Sequence, residues 1–127
     1  MAAWEDAARR DFFGGYDSSE TGNGVRFGSL GESLLAQTLL YSTRLQGAVR
    51  PYKWQITFNS DLPWSLEQDP LAYDFENIGT HEIGHAAGMG HASTTCPEET
   101  MYPYASKGEI VKRDLHVGDI AGISSLY

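Results

Sequence analysis

The chain has 127 residues, of which 41 % are apolar and 12 % aromatic, and this composition predicts one globular domain rather than a disordered segment. Nine basic against seventeen acidic residues give a net charge of −8, which argues against nucleic-acid binding. No apolar run reaches the roughly 20 residues of a membrane-spanning helix, and residues 1–13 are too charged for a signal peptide. The single cysteine, Cys96, excludes an internal disulfide and a cysteine-based zinc site.

The first half of the chain predicts a short helix followed by strands. Over residues 2–13 apolar side chains recur every four positions, which is typical of one buried helical face. Strands are predicted over residues 25–30, 33–42 and 53–59. The last strand is the clearest, because apolar and polar residues alternate along it. Thr57 and Asn59 are therefore expected on a face exposed to solvent.

The second half predicts two helices separated by a long irregular segment. The first of these helices should begin near Asp69–Pro70 or at Asp74 and end near Gly88. Residues 90–114 show no clear periodicity, and long irregular segments in compact domains are usually functional. Apolar spacing over 115–127 predicts a final helix. Helix, strands, helix, irregular segment and helix together form an α+β pattern.

Three of the four histidines lie within the sequence HEIGHAAGMGH at positions 81–91. His81 and His85 are one helical turn apart, so both imidazoles project from the same face and can bind one metal ion. A straight helix cannot bring His91 to that ion, because six residues correspond to about 600° of rotation. Gly88 can end the helix in a left-handed conformation and let His91 return as a third ligand. Three protein ligands leave one open position, which is typical of a catalytic zinc ion.

Glu82 has a separate chemical reason to stand beside these ligands. It points about 100° away from its neighbour around the helix, so it can reach a zinc-bound water rather than the metal. Zinc lowers the pKa of such a water, and a carboxylate can take its proton. Taken singly, each residue is better explained as a surface histidine, a solvated glutamate or a plain helix end. A zinc site kept only for structure, with Glu82 idle, is also open.

The motif over residues 81–91 resembles the metzincin signature His-Glu-x-x-His-x-x-Gly-x-x-His. Further along, the sequence TMYPY resembles the Met-turn of the matrixins, the matrix-metalloprotease-like branch. The resemblance is tight over residues 73–127 and looser over 25–60. It implies that residues 1–127 form one catalytic domain, with a twisted mixed sheet, an active-site helix and a C-terminal helix.

The same resemblance implies a zinc-dependent endopeptidase. One catalytic zinc ion would be held by His81, His85 and His91, with Glu82 as the general base that acts through the zinc-bound water. Met101 would form a hydrophobic floor beneath the zinc-bound histidines. The resemblance further implies a secreted or extracellular protein.

An extended peptide is the substrate that the resemblance implies. Residues 33–39 resemble the edge strand that pairs with substrate in the family, so Leu35 and Ala36 would offer backbone groups to the peptide. The pocket for the side chain that follows the cut would be lined by Ile78, Tyr102, Pro103 and Tyr104.

Departures from the family pattern bear on the metals and on the sheet. Gln37 and Thr57 stand where matrixins usually have histidines for a second, structural zinc, so we expect one zinc only. Asn59 replaces an expected aspartate and no acidic calcium loop is recognisable, which makes calcium binding doubtful. We also hypothesise that the N-terminal strand of the family is missing here. Such a gap should leave apolar surface and unpaired backbone groups in the sheet.

Other functions stay open alongside proteolysis. A zinc-binding module without catalysis could capture peptides in the cleft. A metal-stabilised structural domain would instead need zinc in order to fold. If the N-terminal strand is missing, an inactive truncated fragment of such a protease is a further alternative.

Residues outside the motif receive simpler interpretations. Glu99, Lys112 and Arg113 are expected on solvated surfaces. His116 is expected at the start of the last helix rather than near the metal, and Trp4 in the core or in a lid.

Overall fold

A computed structural model describes residues 2–9 and 22–127 of the chain. Among these residues the helices are α1 (Ala2–Ala8), α2 (Phe75–Ala86) and α3 (Val117–Leu126), with a 3₁₀ helix at Val111–Arg113. The strands are β1 (Gly24–Gly28), β2 (Ala36–Leu45), β3 (Ala48–Asn59), β4 (Trp64–Ser65) and β5 (Tyr73–Asp74). The predicted α+β class is confirmed. None of the helices described is long and apolar enough to cross a membrane.

The strand β3 is central to a three-stranded mixed sheet of order β1-β3-β2. It pairs in parallel with β1 and antiparallel with β2. A tight hairpin joins β2 to β3, with Gln46 and Gly47 at φ angles of 51° and 83°, the conformation of the turns that suit the twist of a hairpin. A separate pair of short parallel strands, β4 and β5, leads into α2.

The hairpin strands are displaced from their predicted ranges. Pairing in β2 begins at Ala36 rather than at residue 33 and continues to Leu45, with a shift of register between Tyr41 and Ser42, while β3 begins at Ala48 rather than at residue 53. Pairing continues to the hairpin because the tight turn fixes the register of the residues beside it. The residues next to the turn show no apolar–polar alternation from which this pairing could be predicted.

The face of β3 that carries Thr57 and Asn59 is covered, so the prediction of solvent exposure is wrong there. Thr57 is 8 % exposed, and its hydroxyl accepts a hydrogen bond from Arg26 Nε at 3.0 Å. Asn59 is fully buried and its Nδ2 donates to the carbonyl oxygens of Gly31 (2.6 Å) and Leu34 (2.8 Å). Hydrogen bonds that replace water allow this burial. Asn59 thereby fixes the loop that leads into β2.

The strand β1 lies at one edge of the described sheet. Val25 and Phe27 on this strand are 49 % and 55 % exposed, which is apolar surface of the kind that a missing neighbouring strand would leave. The missing-strand hypothesis itself stays a prediction. The first predicted helix is present as α1, and its residues 10–13 lie outside the described part of the chain.

The start of α2 settles the choice between its two predicted N-termini in favour of Asp74. This N-cap carboxylate accepts a hydrogen bond from the Asn77 N–H at 2.8 Å. Arg113 Nε donates to Asp74 Oδ1 at 3.0 Å, and this guanidinium holds the pKa of Asp74 below its ordinary value. Arg113 is therefore only partly exposed to solvent, because it forms an ion pair that the sequence did not predict. The pair ties the 3₁₀ helix to the start of α2.

The core lies between α2, the sheet and the two terminal helices. Trp4 of α1 is fully buried there, as the core interpretation expected, and its Nε1 donates to the Thr80 carbonyl of α2 at 2.8 Å. The buried apolar residues of this core cluster are Trp4, Trp54, Ile56, Phe58, Ile78, Ala86, Ala87, Met101 and Ile123.

Gly84, in the last turns of α2, lets two of these core residues approach the helix. A Cβ atom at this position would lie 2.4 Å from Met101 Sδ and 2.7 Å from Trp4 Cζ2, closer than real Cβ contacts. Both neighbours are buried, so neither can move aside without disturbing the core. The absence of a side chain at Gly84 is therefore a condition for packing beneath the histidine face of α2.

We expect Gly84→Ala to destabilise the protein, because overpacking a core costs about 1–3 kcal/mol. Gly79→Ala on the same helix is the matched control, since its Cβ would meet Phe58 Cζ at an ordinary 3.8 Å. That control should be neutral, or more stable by the roughly 0.5–1 kcal/mol that separates alanine from glycine in a helix. Urea unfolding of both variants at one fixed zinc concentration measures the difference. Equal stabilities would contradict the packing argument.

Candidate metal centre and cleft

The end of α2 turns the chain back toward the helix. The Met89 N–H donates to the Gly84 carbonyl and the Gly88 N–H to the His85 carbonyl, each at 2.9 Å, which is the hydrogen-bond pattern of a Schellman motif. Gly88 has a φ angle of 94°, in the left-handed region that favours glycine. The predicted turn is therefore present. It brings His91 back beside the helix.

The three histidines of the motif converge in space. One potential ligand nitrogen from each of His81, His85 and His91 lies within 4.8 Å of the others, and the Nε2 atoms of His85 and His91 are 3.1 Å apart. Two nitrogens about 2.1 Å from a tetrahedral zinc ion lie about 3.4 Å from each other. The spacing therefore fits one zinc ion. Among residues 2–9 and 22–127, this is the only group of three or more metal-binding side chains that converges in this way.

Backbone carbonyls orient two of the three imidazoles. His81 Nδ1 lies 2.7 Å from the Thr100 oxygen, and His85 Nδ1 lies 2.8 Å from the Met89 oxygen. A carbonyl oxygen only accepts hydrogen bonds, so Nδ1 of each ring carries the proton and Nε2 keeps its lone pair. Such an outer hydrogen bond is typical of histidines that bind metal. The donor set thus fits zinc in chemistry as well as in spacing.

Burial favours the neutral form of two of these histidines, His81 and His91. The pKa of His81 is lowered to about 4, chiefly by desolvation and to a smaller extent by His85, His91 and Lys112, while the hydrogen bond to Thr100 opposes this shift. Desolvation also lowers the pKa of His91, with a smaller contribution from His85. A histidine must lose its proton to bind a metal. Both groups are therefore unprotonated near neutral pH.

Glu82 is buried beside the histidines, at 6 % exposure. The Thr38 hydroxyl of β2 donates to Glu82 Oε2 at 2.5 Å and lies 3.1 Å from the Glu82 carbonyl oxygen. Desolvation raises the pKa of the carboxyl above its ordinary value, and the Thr38 hydrogen bond opposes this shift. A higher pKa makes a carboxylate a better proton acceptor near neutral pH. The contact with Thr38 joins residues 44 apart and had no signal in the sequence.

Met101 packs against the helix that carries the histidines. Its side chain contacts α2 at Gly84, between the two helical ligands, and its carbonyl oxygen accepts from the Ala92 N–H at 2.8 Å, next to His91. The segment Thr100–Met101 thus touches the cluster of His81, His85 and His91, hereafter called the metal group, on two sides. The role of Met101 as the floor of a zinc site stays a prediction.

Two buried carboxylates hold that segment in turn. Asp119 accepts hydrogen bonds from the Thr100 N–H (2.7 Å) and the Met101 N–H (3.0 Å). Glu99 accepts from the N–H groups of Gly118 (3.1 Å) and Asp119 (2.9 Å) at the start of α3. The expectation that Glu99 is solvated is therefore wrong: it is 6 % exposed because it caps a helix. His116 is the N-cap residue of the same helix, as expected.

The metal group opens into a cleft of about 690 Å³. The residues named above for peptide binding all border it: Leu35, Ala36, Ile78, Tyr102, Pro103 and Tyr104. Their individual roles stay predictions. Tyr73, Met89 and Lys112 also border the cleft and were not predicted from the sequence. Lys112 was expected on a solvated surface, yet it is 1 % exposed.

Comparisons with known proteins agree with this architecture. The matrixin family model matches residues 9–127. The chain is similar to metalloendoproteinase 4-MMP of Arabidopsis thaliana, with 32 % identity over 97 % of this chain and 33 % of the relative. Metalloendoproteinase 1-MMP of the same plant is 30 % identical over 97 % of the chain and 31 % of its own length. Human matrilysin is 39 % identical over 55 % of the chain and 25 % of its own length. The chain thus spans at most about a third of these relatives.

We expect about one zinc ion per chain, and His91→Ala should weaken zinc binding by more than about 100-fold, because even an outer-shell partner is worth roughly 10- to 100-fold. His116→Ala removes the fourth histidine, which does not belong to the converging group, and is the matched control. Elemental analysis and competition with a chromophoric chelator measure both quantities. Equal zinc affinity in the two variants would show that His91 is not a ligand.

Proposed function

The chain belongs to the matrixin family, and from that premise we propose that it is a zinc-dependent endopeptidase acting on extended peptides. The observation that carries the proposal is the convergence of His81, His85 and His91 in one cleft with the buried carboxylate of Glu82. A metal group that served only to stabilise the fold would need neither the open cleft nor the carboxylate.

His81, His85 and His91 would hold the zinc ion. When bound, zinc supplies a Lewis acid that polarises a carbonyl group and lowers the pKa of water. Because the protein would supply only three ligands, a molecule from the cleft could complete the coordination. The hydrogen bonds from Nδ1 of His81 and His85 to main-chain carbonyls would keep these two rings in place during turnover.

Glu82 is the proposed general base. It takes a proton from the attacking water as the oxygen bonds to the peptide carbonyl carbon, and then delivers that proton to the amine nitrogen as the carbon–nitrogen bond breaks. Thr38 holds Oε2 of this carboxylate. Among the described residues no hydrogen bond engages Oε1, which is the oxygen we propose for proton transfer.

The edge of β2 is proposed to bind the substrate backbone. The Asn59 N–H donates to the Leu35 carbonyl at 2.9 Å, so these two residues form a hydrogen-bonded pair. Bonded and non-bonded pairs alternate along antiparallel strands. Ala36, opposite Phe58, therefore directs its N–H and C=O away from β3. Ala36 is accordingly the better candidate for pairing with the peptide, and the Leu35 carbonyl is already used within the fold.

Substrate side chains would enter the cleft beside the metal group. Ile78, Tyr102, Pro103 and Tyr104 form the proposed pocket for the side chain after the cut, and all four border the cleft. Family membership also leads us to propose that the protein is secreted and acts outside the cell. One catalytic domain over residues 1–127 stays part of this proposal.

Replacing the general base should separate zinc binding from turnover. We expect Glu82→Ala to keep zinc and to lower kcat by roughly 100- to 10,000-fold, the usual contribution of a positioned base. Glu67→Ala, which alters an exposed glutamate outside the cleft, is the control and should retain wild-type activity. An internally quenched peptide, with and without a chelator, measures turnover. Wild-type activity in Glu82→Ala would overturn the role of this residue, while an inactive zinc-loaded wild type would favour the non-catalytic binding module.

A further inference from the structure

Lys112 is a charged residue in an unusual position, because it borders the cleft and is 1 % exposed. Lysine is almost never fully buried unless its charge has a partner. The burial therefore calls for partners that stabilise the ammonium group.

The backbone of Lys112 is anchored to the active-site helix. Its N–H donates at 2.6 Å to Oδ1 of Asn77, which lies one helical turn before His81 and is 1 % exposed. Asn77 Nδ2 donates at 3.3 Å to Glu109 Oε1. Asn77 thus fixes both the 3₁₀ helix that carries the lysine and the carboxylate that accompanies it.

The ammonium group itself has two neighbours. Lys112 Nζ forms an ion pair with Glu109 Oε1 and lies 5.5 Å from the centre of the Tyr102 ring, a distance at which a cation is attracted to an aromatic face. An ammonium has three N–H donors. Among the described residues Glu109 is the one hydrogen-bond acceptor that Nζ contacts. Donor capacity therefore remains for an occupant of the pocket that Tyr102 lines.

We infer that Lys112 gives this pocket a polar inner end that favours a neutral hydrogen-bond acceptor, such as glutamine, at the position after the scissile bond. The Lys112–Glu109 pair carries no net charge, and Glu109 repels a carboxylate, so glutamate gains no advantage. An aliphatic side chain of similar length would offer no acceptor to the remaining N–H donors of the ammonium. The inference rests on the proposed endopeptidase function and names the preferred substrate class.

The test uses three quenched peptides that differ only after the scissile bond, with glutamine, leucine or glutamate. For the wild type, kcat/KM for the glutamine peptide should exceed that for the leucine peptide by about tenfold, the discrimination of one charge-assisted hydrogen bond. Lys112→Met keeps the length of the chain and removes the donor, so the preference should reverse toward leucine. Lys53→Met removes a lysine that does not border the cleft and should keep the wild-type ratio.

Glu109→Gln provides an independent variant that keeps Lys112 and removes only its counter-charge. The glutamate peptide should then gain about tenfold relative to the glutamine peptide. Circular dichroism and Tm would reveal whether Lys112→Met folds. If it does not fold, Glu109→Gln still tests the role of Lys112 in peptide preference. An unchanged ratio in Glu109→Gln would overturn the inference.

Binding measurements separate this inference from the proposed function. Calorimetry of zinc-loaded Glu82→Ala with the same peptides should give the ranking glutamine above leucine without any turnover. If no peptide is cleaved by the wild type, the proposed function fails, and this ranking still decides the role of Lys112. Tighter binding of leucine, equal binding, or no binding of any peptide would overturn the inference.

Discussion

The hydrogen bond between His81 Nδ1 and the Thr100 carbonyl joins the parts of the molecule that make the site. The donor, His81, lies on α2, which carries two of the converging histidines. The acceptor, Thr100, lies in the segment that Asp119 holds through the Thr100 and Met101 N–H groups. A buried imidazole without this acceptor would lose both its orientation and the partner for its proton. The three histidines therefore depend on α3 as well as on the helix of the motif.

Close packing adds a second constraint at the same place. Trp4 and Met101 meet α2 at Gly84, on the turn between His81 and His85. In the metal-binding motif this glycine only separates two histidines. Here it also lets the core residues Trp4 and Met101 pack behind the site. The first helix of the described chain thus supports the metal group through Trp4, although the two are about 80 residues apart in the sequence. Stability of the core and geometry of the ligands are coupled in one turn of helix.

The sequence was most informative where geometry is local. Spacings of four and six residues around a glycine determine which rings can meet, so the convergence of His81, His85 and His91 could be predicted from the rules of helix geometry. The Asp74 cap and the buried apolar side of β3 follow from local patterns in the same way.

Predictions failed where burial depends on distant partners. Asn59, Glu99 and Lys112 are polar residues that were expected in solvent. Asn59 and Glu99 are buried because the fold supplies hydrogen bonds from remote segments. Lys112 is buried because its backbone is anchored to Asn77 while Glu109 pairs with its ammonium group. The backbone N–H of Lys112, for example, donates to the Asn77 side chain, 35 positions away in the sequence. No local pattern encodes such a pairing, since it exists only once α2 and the 3₁₀ helix have packed. The polar character of the cleft wall therefore had to come from the structure.

The central claim is that three imidazoles hold one zinc ion and leave it open to the cleft. X-ray absorption spectroscopy of the zinc-loaded chain tests this most directly, because it counts and identifies the neighbours of the metal. The account predicts three imidazole nitrogens at about 2.0–2.1 Å and an oxygen neighbour, with no sulfur. A sulfur neighbour at about 2.3 Å, which would implicate Cys96, or fewer than three imidazoles, would contradict it.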